Sequence, residues 1–378
     1  KATGDRYGIS GGLAPLKVAV PALTQTGFIQ QSTPVAGDPS NVITVTLTSN
    51  YHLKNGTGAA AAKVTISGLT GTQNSASPAV TSCNSSALGT SGTWNQTTGT
   101  LVLTATADIN SGVACVITIT VTNPSSDQSS PTVKVSATLT DGTSTTSIGT
   151  VAQSDLTKAT ADRYGISGGL APLKVVEPKM TQTGFIQQST PVSGASNVIT
   201  VTLTSNYHLK NGTGAAAAKV TISGLTGTQN SASPAVTSCN SSALGTSGTW
   251  NQTTGTLVLT ATADINSGVA CVITITVTNP SSDQSSPTVK VSATLTDGTS
   301  ATSIGTVAQS DLAKATGDRY GISGGLAPLK VAVPALTQTG FIQQSTPVAG
   351  DPSNVITVTL TSNYHLKNGT GAAAAKVT

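Results

Sequence analysis

The sequence is short of charge. Only 8% of its 378 residues are Asp, Glu, Lys or Arg, against about 25% in ordinary soluble domains. The formal net charge of +4 is spread along the chain, so there is no Lys/Arg cluster of the kind that phosphate-backbone binding requires. Aromatic residues make up 3%, and the single glutamate is Glu177. The catalytic and metal motifs that depend on clustered His, Asp and Glu, such as H-E-x-x-H or an acidic calcium loop, are missing, as is a Walker A glycine loop. No enzyme and no cofactor is implied. No run approaches the roughly 18 apolar residues of a membrane-spanning helix. The opening KATGDRYG has no apolar core of a secretory leader. If the protein is secreted, its leader is expected to lie outside this chain.

What is there is β-branched and periodic. In NVITVTLTS, Ile43, Val45 and Leu47 alternate with Thr44, Thr46 and Thr48. The same period of two runs through KVTISG, TLVLTAT, CVITITVT and TVKVSATL. Each stretch offers an aliphatic face and a threonine face, and Asn55-Gly56, Asn123-Pro124-Ser125 and Asp141-Gly142 supply turns between them. The fold class expected is all-β: tandem Ig-like antiparallel sandwiches with short connectors. The best helix candidate is SDLTKATADRYG, with Ser154 as N-cap and Gly165 as stop. It is expected to be a short helix or a structured turn.

The chain repeats itself. Lys1 recurs as Lys158 and Lys314, and residues 314–378 copy residues 1–65 without a change. The period predicts connectors at 1–15, 157–172 and 313–328, complete repeats at 16–156 and 173–312, and a truncated repeat at 329–378. The third copy stops inside an alternating strand. It is expected to be a window onto a longer array, or else to be completed by strands of another chain. Between the first two copies Val20 and Ala22 become Glu177 and Lys179. A charge pair tolerated there marks an exposed edge beside the connector, open to contact with a neighbouring module.

The repeated opening phrase contains Gly8-Ile9-Ser10-Gly11-Gly12, a match to the G-x-S-x-G pattern of serine hydrolases. That pattern needs a strand before it, a helix after it, and acid and His partners. Pro15 and the Gly pair deny the helix, and His52 is the only His of the copy. The phrase is better read as a joint, built on Asp5, Arg6 and Tyr7 and their copies Asp162, Arg163, Tyr164, Asp318, Arg319 and Tyr320. Its glycines supply backbone freedom between modules.

Cys83 and Cys115 are 32 residues apart, and Cys239 and Cys271 repeat that spacing. A disulfide within each copy is expected, and with it an oxidising, extracellular or cell-surface location. Asn55, Asn84, Asn95, Asn211, Asn240, Asn251 and Asn368 head N-x-[S/T] sequons in turn-like places, so N-glycans are expected partners. Trp94 is expected to plug the edge of the core, with a sugar-stacking platform as the alternative.

Taken in order, PLKVAVP, GFIQQSTPVAG, NVITVTLTSN, KVTISGLTGTQ, GTLVLTATADINSG and ITVTNPSSDQSSPTVKVSA resemble the modules of large tandem-repeat extracellular proteins of algae and other protists. Bacterial Ig-like adhesin arrays are the neighbouring comparison. The resemblance implies a structural or surface role and no catalytic residues. The function expected is a structural repeat of an extracellular fibre or filament, such as a sheath, wall filament or flagellar hair. Its partners would be copies of itself, through head-to-tail contacts, lateral contacts or donor-strand completion. The alternative is a cell-surface adhesin or a carbohydrate-binding stalk.

Overall fold

The computed structural model describes residues 2–368 and 374–377. They fall into two compact units, residues 1–178 and 179–378. In the first, β1 (Leu23–Gln31), β2 (Asn41–Ser49), β4 (Ala79–Thr81) and β7 (Ala114–Val121) form one sheet in the order β1-β2-β7-β4. The other sheet holds β3 (Lys63–Ser67), β5 (Thr93–Asn95), β6 (Thr100–Thr104), β8 (Lys134–Leu139) and β9 (Gly149–Asp155), in the order β5-β6-β3-β8-β9. Every strand pair is antiparallel. The four-stranded sheet has the ABED order of an Ig-like sandwich and β3-β8-β9 has the CFG order. The hairpin β5-β6 widens the second sheet beside β3.

The alternation written in the sequence produces this layering. β2 is buried at every second residue, with Ile43, Val45 and Leu47 facing inward. Val45 sits opposite Ile117, and Ile43 opposite Ile119. The core between the sheets is aliphatic, with Ile66, Leu101, Leu103, Val135 and Leu139 on the second sheet. Each such side chain contributes about 1.5–3 kcal/mol when removed from water. Cys83, in the turn after β4, is bonded to Cys115 on β7. The bridge therefore staples two strands of one sheet, and in the chain-entropy model a loop of that length is worth roughly 3–4 kcal/mol.

The second unit repeats the plan. β10 (Met180–Gln188), β11 (Ser196–Ser205), β13 (Ala235–Thr237) and β16 (Ala270–Thr278) form the four-stranded sheet. β12 (Lys219–Ser223), β14 (Thr249–Asn251), β15 (Thr256–Thr260), β17 (Lys290–Leu295) and β18 (Gly305–Asp311) form the five-stranded one. Cys239 is bonded to Cys271. Among the described residues, the partial third copy has short pairs only: β19 (Leu336–Gln338) with β22 (Leu360–Ser362), and β20 (Gln343–Gln344) with β21 (Ile356–Thr357).

The stretch SDLTKATADRYG is not a helix. Ser154 and Asp155 finish β9, and the rest runs as bridges and turns. Its amides find partners on the sandwich: the Leu156 N–H donates to the Val133 carbonyl at 2.8 Å, and Ala159 N–H to Ile29 at 3.0 Å. Those bonds outcompete a helix too short to stand without tertiary support.

Candidate interaction site at the end of each sandwich

The segment that follows β9 closes over the end of the first unit. Its receptor is prepared by an irregularity in β1. Thr26 pairs with Thr46 and Gln30 with Thr44, so four steps on β1 match two on β2. Gly27, at φ 70°, carries the bulge. The extra residues leave the ladder, and Ile29 turns its backbone to the incoming segment. Its N–H donates to Thr157 and its carbonyl accepts from Ala159.

Gln31 is the centre of the receptor. It is 2% exposed, and its amide is fully used. Nε2 donates to the carbonyls of Gly169 (2.9 Å) and Lys174 (2.7 Å). Oε1 accepts from the Leu173 N–H and from Asn41 Nδ2, both at 2.8 Å. Asn41 Nδ2 also donates to Asn123 Oδ1 at 2.7 Å, and Asn123 Nδ2 donates to the Thr33 and Val35 carbonyls. Both asparagines are 0% exposed. A buried polar network of this kind stabilises only when each member is satisfied, and losing one partner strands the rest.

Gln128 grips the far stretch of the segment. Its backbone exchanges two hydrogen bonds with Val175, and its Nε2 donates to the Thr70 and Leu173 carbonyls. Ser130 Oγ donates to Pro172, and Lys158 Nζ donates back to the Ser130 and Pro131 carbonyls. The apolar side chains complete the seal. Leu173 and Val175 are 0% exposed, with Ala159 and Ile166 also buried. Leu156 and Leu173 belong to the same core as Ile43 and Leu139. The segment read from the sequence as the connector 157–172 is thus part of the first compact unit. So are Leu173 and Val175, which the repeat period assigns to the second module.

The segment has a shape of its own. Arg163 and Ile166 pair across Tyr164-Gly165, both with positive φ (53° and 86°), the two-residue turn that suits a tight hairpin. Asp162 Oδ1 accepts from the Gly168 N–H at 3.0 Å, and the Arg163 guanidinium lies 4.6 Å from the Tyr164 ring centre. The Asp-Arg-Tyr triplet therefore builds the turn. Ser167 of the G-x-S-x-G match is exposed on it, with a turn on either side where a nucleophile elbow has a strand and a helix.

The second unit presents the same receptor filled by the next copy. Gln188 Nε2 donates to Gly325 and Lys330, and its Oε1 accepts from Leu329 N–H. Leu329 is 0% and Val331 1% exposed. Here the segment is also bonded on its other face, to the partial third copy. His365 N–H donates to Tyr320 at 2.9 Å, and Tyr364 Oη donates to Ala332 at 2.7 Å. Burial, with Asp283 nearby, pushes the Tyr364 phenol above its ordinary range.

The first copy of the segment holds only that other face. His52 N–H donates to Tyr7 and Ser111 Oγ to Gly8, while Tyr51 Oη donates to Ala19 at 2.6 Å. Gly8 cannot carry a side chain: φ is 88° and a Cβ would lie 2.4 Å from Ser111 Oγ. His52 Nδ1 accepts from the Ser111 N–H, so this lone His is a structural hydrogen-bonding group. On the opposite face Leu16 is 98% and Val18 83% exposed. Val20, where the second copy has Glu177, is exposed as well.

The remaining sequence candidates are placed as follows. Trp94 is half-buried against the core edge, and its Nε1 donates to the Asn74 carbonyl at 2.9 Å. Asn55, Asn84, Asn95, Asn211, Asn240, Asn251 and Asn368 are all exposed; the sequon of Asn368 runs on into residues outside the described ones. Lys54 pairs with Asp108, which also accepts from the Asn55 N–H. Partial burial pushes the Asp108 carboxyl up, but these two partners outweigh it and hold its pKa below the usual value. Among the described residues no group of three or more His, Cys, Asp or Glu could hold a metal ion, and no helix is long and apolar enough to cross a membrane.

The receptor residues Gln31, Asn41, Asn123 and Gln128 were missed in the sequence. One signal was available: Asn41 falls in phase with Ile43 and Val45, a polar residue on the core face of a strand.

No family model and no curated protein matches the chain. Among solved structures it is similar to the C-terminal domain of the AgI/II polypeptide BspA from Streptococcus agalactiae. The identity is 10%, the match covers 78% of this chain and 99% of that one, and the TM-score is 0.40. A mutant form of BspA gives 9% identity, 79% and 99% coverage and a TM-score of 0.38. A structure of manganese lipoxygenase of Gaeumannomyces graminis with part of zonadhesin of Komagataella pastoris gives 13%, 76% and 92%, and a TM-score of 0.21. Scores this low say nothing of activity or partners.

Proposed function

We propose that the chain is a structural repeat region of an extracellular fibre or filament, in which disulfide-locked sandwiches are linked end to end. The observation that supports this most is the filled receptor: the linking segment is built into the core of the sandwich before it, with Leu173 and Leu329 both 0% exposed. A segment held this way transmits tension from strand to strand, where a loose linker would only tether. The two disulfides fit an oxidising, secreted or surface location. The exposed sequon asparagines are the proposed glycan sites, and rows of half-buried threonine on the outer faces keep charge repulsion between neighbours low. Electron micrographs of the assembled material are expected to show a regular axial repeat of one module. Flexible beads without a regular repeat would overturn the proposal.

The alternative is an adhesin or carbohydrate-binding stalk, which needs a free aromatic platform. Trp94 is the candidate, but its indole is half-buried and its N–H engaged. Saturable glycan binding abolished by Trp94→Ala would favour the stalk.

A further inference from the structure

We infer that a groove on each complete unit, between the outer face of the four-stranded sheet and the docked segment, binds a carboxylated sugar, a hexuronate unit of a polysaccharide. Arg163 in the first unit and Arg319 in the second would take the carboxylate, with Phe28 and Phe185 under the ring. The site rests on the carbohydrate-binding reading above and replaces Trp94 as its platform. Three observations carry it.

First, the arginine is short of partners. Arg163 lines a groove of about 300 Å³ with Gln30, Ser32, Thr44 and Leu170. Its guanidinium lies 4.6 Å from the Tyr164 ring centre, and Nη2 donates to the Tyr164 hydroxyl at 3.1 Å. Its Nε is buried and unpaired, and Arg319 repeats that state 5.1 Å from the Tyr320 ring centre. Native structures leave few buried donors unmet. Among the described residues neither arginine forms an ion pair. A swing of the fork toward the groove would set two parallel N–H groups on a carboxylate, the geometry to which arginine is suited.

Second, an aromatic ring stands beside it. The second unit has a groove of about 410 Å³ at Gln187, Thr200 and Leu326, the equivalents of Gln30, Thr44 and Leu170, and it reaches Phe185. Both volumes fall at the low end of small-molecule sites, about 300–1,000 Å³. The glycine bulge leaves Phe28 60% and Phe185 63% exposed. Phe28 and Gln30 are two residues apart beyond the bulge and share the outer face. The ring offers an apolar surface to the C–H face of a pyranose.

Third, the rest of the lining is neutral and unused. Among the described residues, the side chains of Gln30, Thr44, Gln187, Thr200 and Thr202 have no hydrogen-bond partner within the chain. Amides and hydroxyls of this kind both donate to and accept from sugar hydroxyls. Among the described residues no other ionisable side chain lines either groove. One cation amid neutral polar groups matches the single carboxylate of a uronate ring, where an acidic peptide calls for a row of cations.

The test uses the full chain and titration calorimetry with tetragalacturonate, its fully methyl-esterified form and a tetraglutamate peptide. Tetragalacturonate is expected to occupy one site on each complete unit. Arg163→Gln with Arg319→Gln is expected to weaken it at least about tenfold, the loss of a charged hydrogen bond. Phe28→Ala with Phe185→Ala is expected to weaken it about threefold to tenfold. The ester and the peptide are expected to bind at least about tenfold more weakly than tetragalacturonate. A folded wild type that does not bind tetragalacturonate overturns the inference. So does equal binding of the ester or the peptide, or unchanged affinity in either double variant. If the arginine variant does not fold, the wild type decides: tetragalacturonate is expected to protect Arg163 and Arg319 from phenylglyoxal, read by peptide mass, and no protection overturns the site. Trp94→Ala with Trp250→Ala is expected to leave the affinity unchanged. Affinity lost there and kept in the arginine variant overturns the groove and leaves carbohydrate binding at the tryptophans standing. A wild type that binds no neutral or acidic glycan on an array removes that reading as well.

Discussion

Residues 4–20 and residues 161–177 are nearly the same sequence in two settings. Both make the Arg–Ile hairpin turn, both cap it with an aspartate, and both place a leucine at positive φ. In one setting that leucine is 98% exposed and in the other 0%. A second identical pair tells the same story: Ile43, Val45 and Leu47 are core residues, while their copies Ile356, Val358 and Leu360 are 61%, 47% and 42% exposed. The local shape of a segment follows its own turn chemistry. Whether it stabilises anything depends on the surface that receives it.

The comparison can be broken most sharply at the buried leucine. Leu173→Asp places a carboxylate where no water reaches, and is expected to cost about 4–5 kcal/mol in chemical denaturation, at the extreme of single substitutions. Leu16→Asp is expected to stay within about 0.5 kcal/mol of wild type, as surface changes do. Equal effects would mean that the segment is not part of the first core.

The disulfides come next. Replacing Cys83 and Cys115 together by Ala is expected to cost roughly 3–4 kcal/mol, read as a lower denaturation midpoint of the first unit, with the second unit as internal reference. The receptor amide follows: Gln31→Ala takes from Asn41 Nδ2 one of its two acceptors and from the Leu173 N–H its acceptor, a loss of about 1–3 kcal/mol. Its copy Gln344 is exposed, and Gln344→Ala is expected to change nothing measurable in the same experiment.

The smallest expected effect is one of pH. Asp108 and Asp264 have folded pKa values below the ordinary 3.8, since the lysine and amide partners outweigh partial burial. Asp141 and Asp297 are lowered by backbone N–H bonds from Ser144 and Thr143, and from Ser300 and Thr299. A lowered carboxyl stabilises the fold fully above its unfolded pKa, and the contribution is lost as pH falls through the folded value. Melting temperature is therefore expected to fall below about pH 4. Asp108→Asn with Asp264→Asn should flatten that limb, each pair being worth less than about 1 kcal/mol at such exposure.

Much of the sandwich could be read from the residues. The alternation in NVITVTLTS and CVITITVT places β2 and β7 within a residue or two of their observed limits, and the cysteine spacing matches the observed bridges. β1 was obscured because LTQTGFIQQ carries a glycine bulge that breaks its alternation. β4 and β5 are three residues each, too short for a period to register. The glycines of the joint suggest backbone freedom, but Gly8 and Gly165 hold a fixed turn. Positive φ serves a tight hairpin as readily as a hinge, and composition alone does not separate the two.

The sequence by itself determined the module: alternation set the two faces of each strand, turn residues set the breaks, and repetition set the number of copies. Those are local properties, decided by a residue and its near neighbours. Only the tertiary structure decided where one module ends, because the segment's amides and leucines are claimed by Gln31, Gln128 and Ile29, 45 to 142 residues away along the chain. Burial is settled by what lies across the gap in space, and a linear text does not show that.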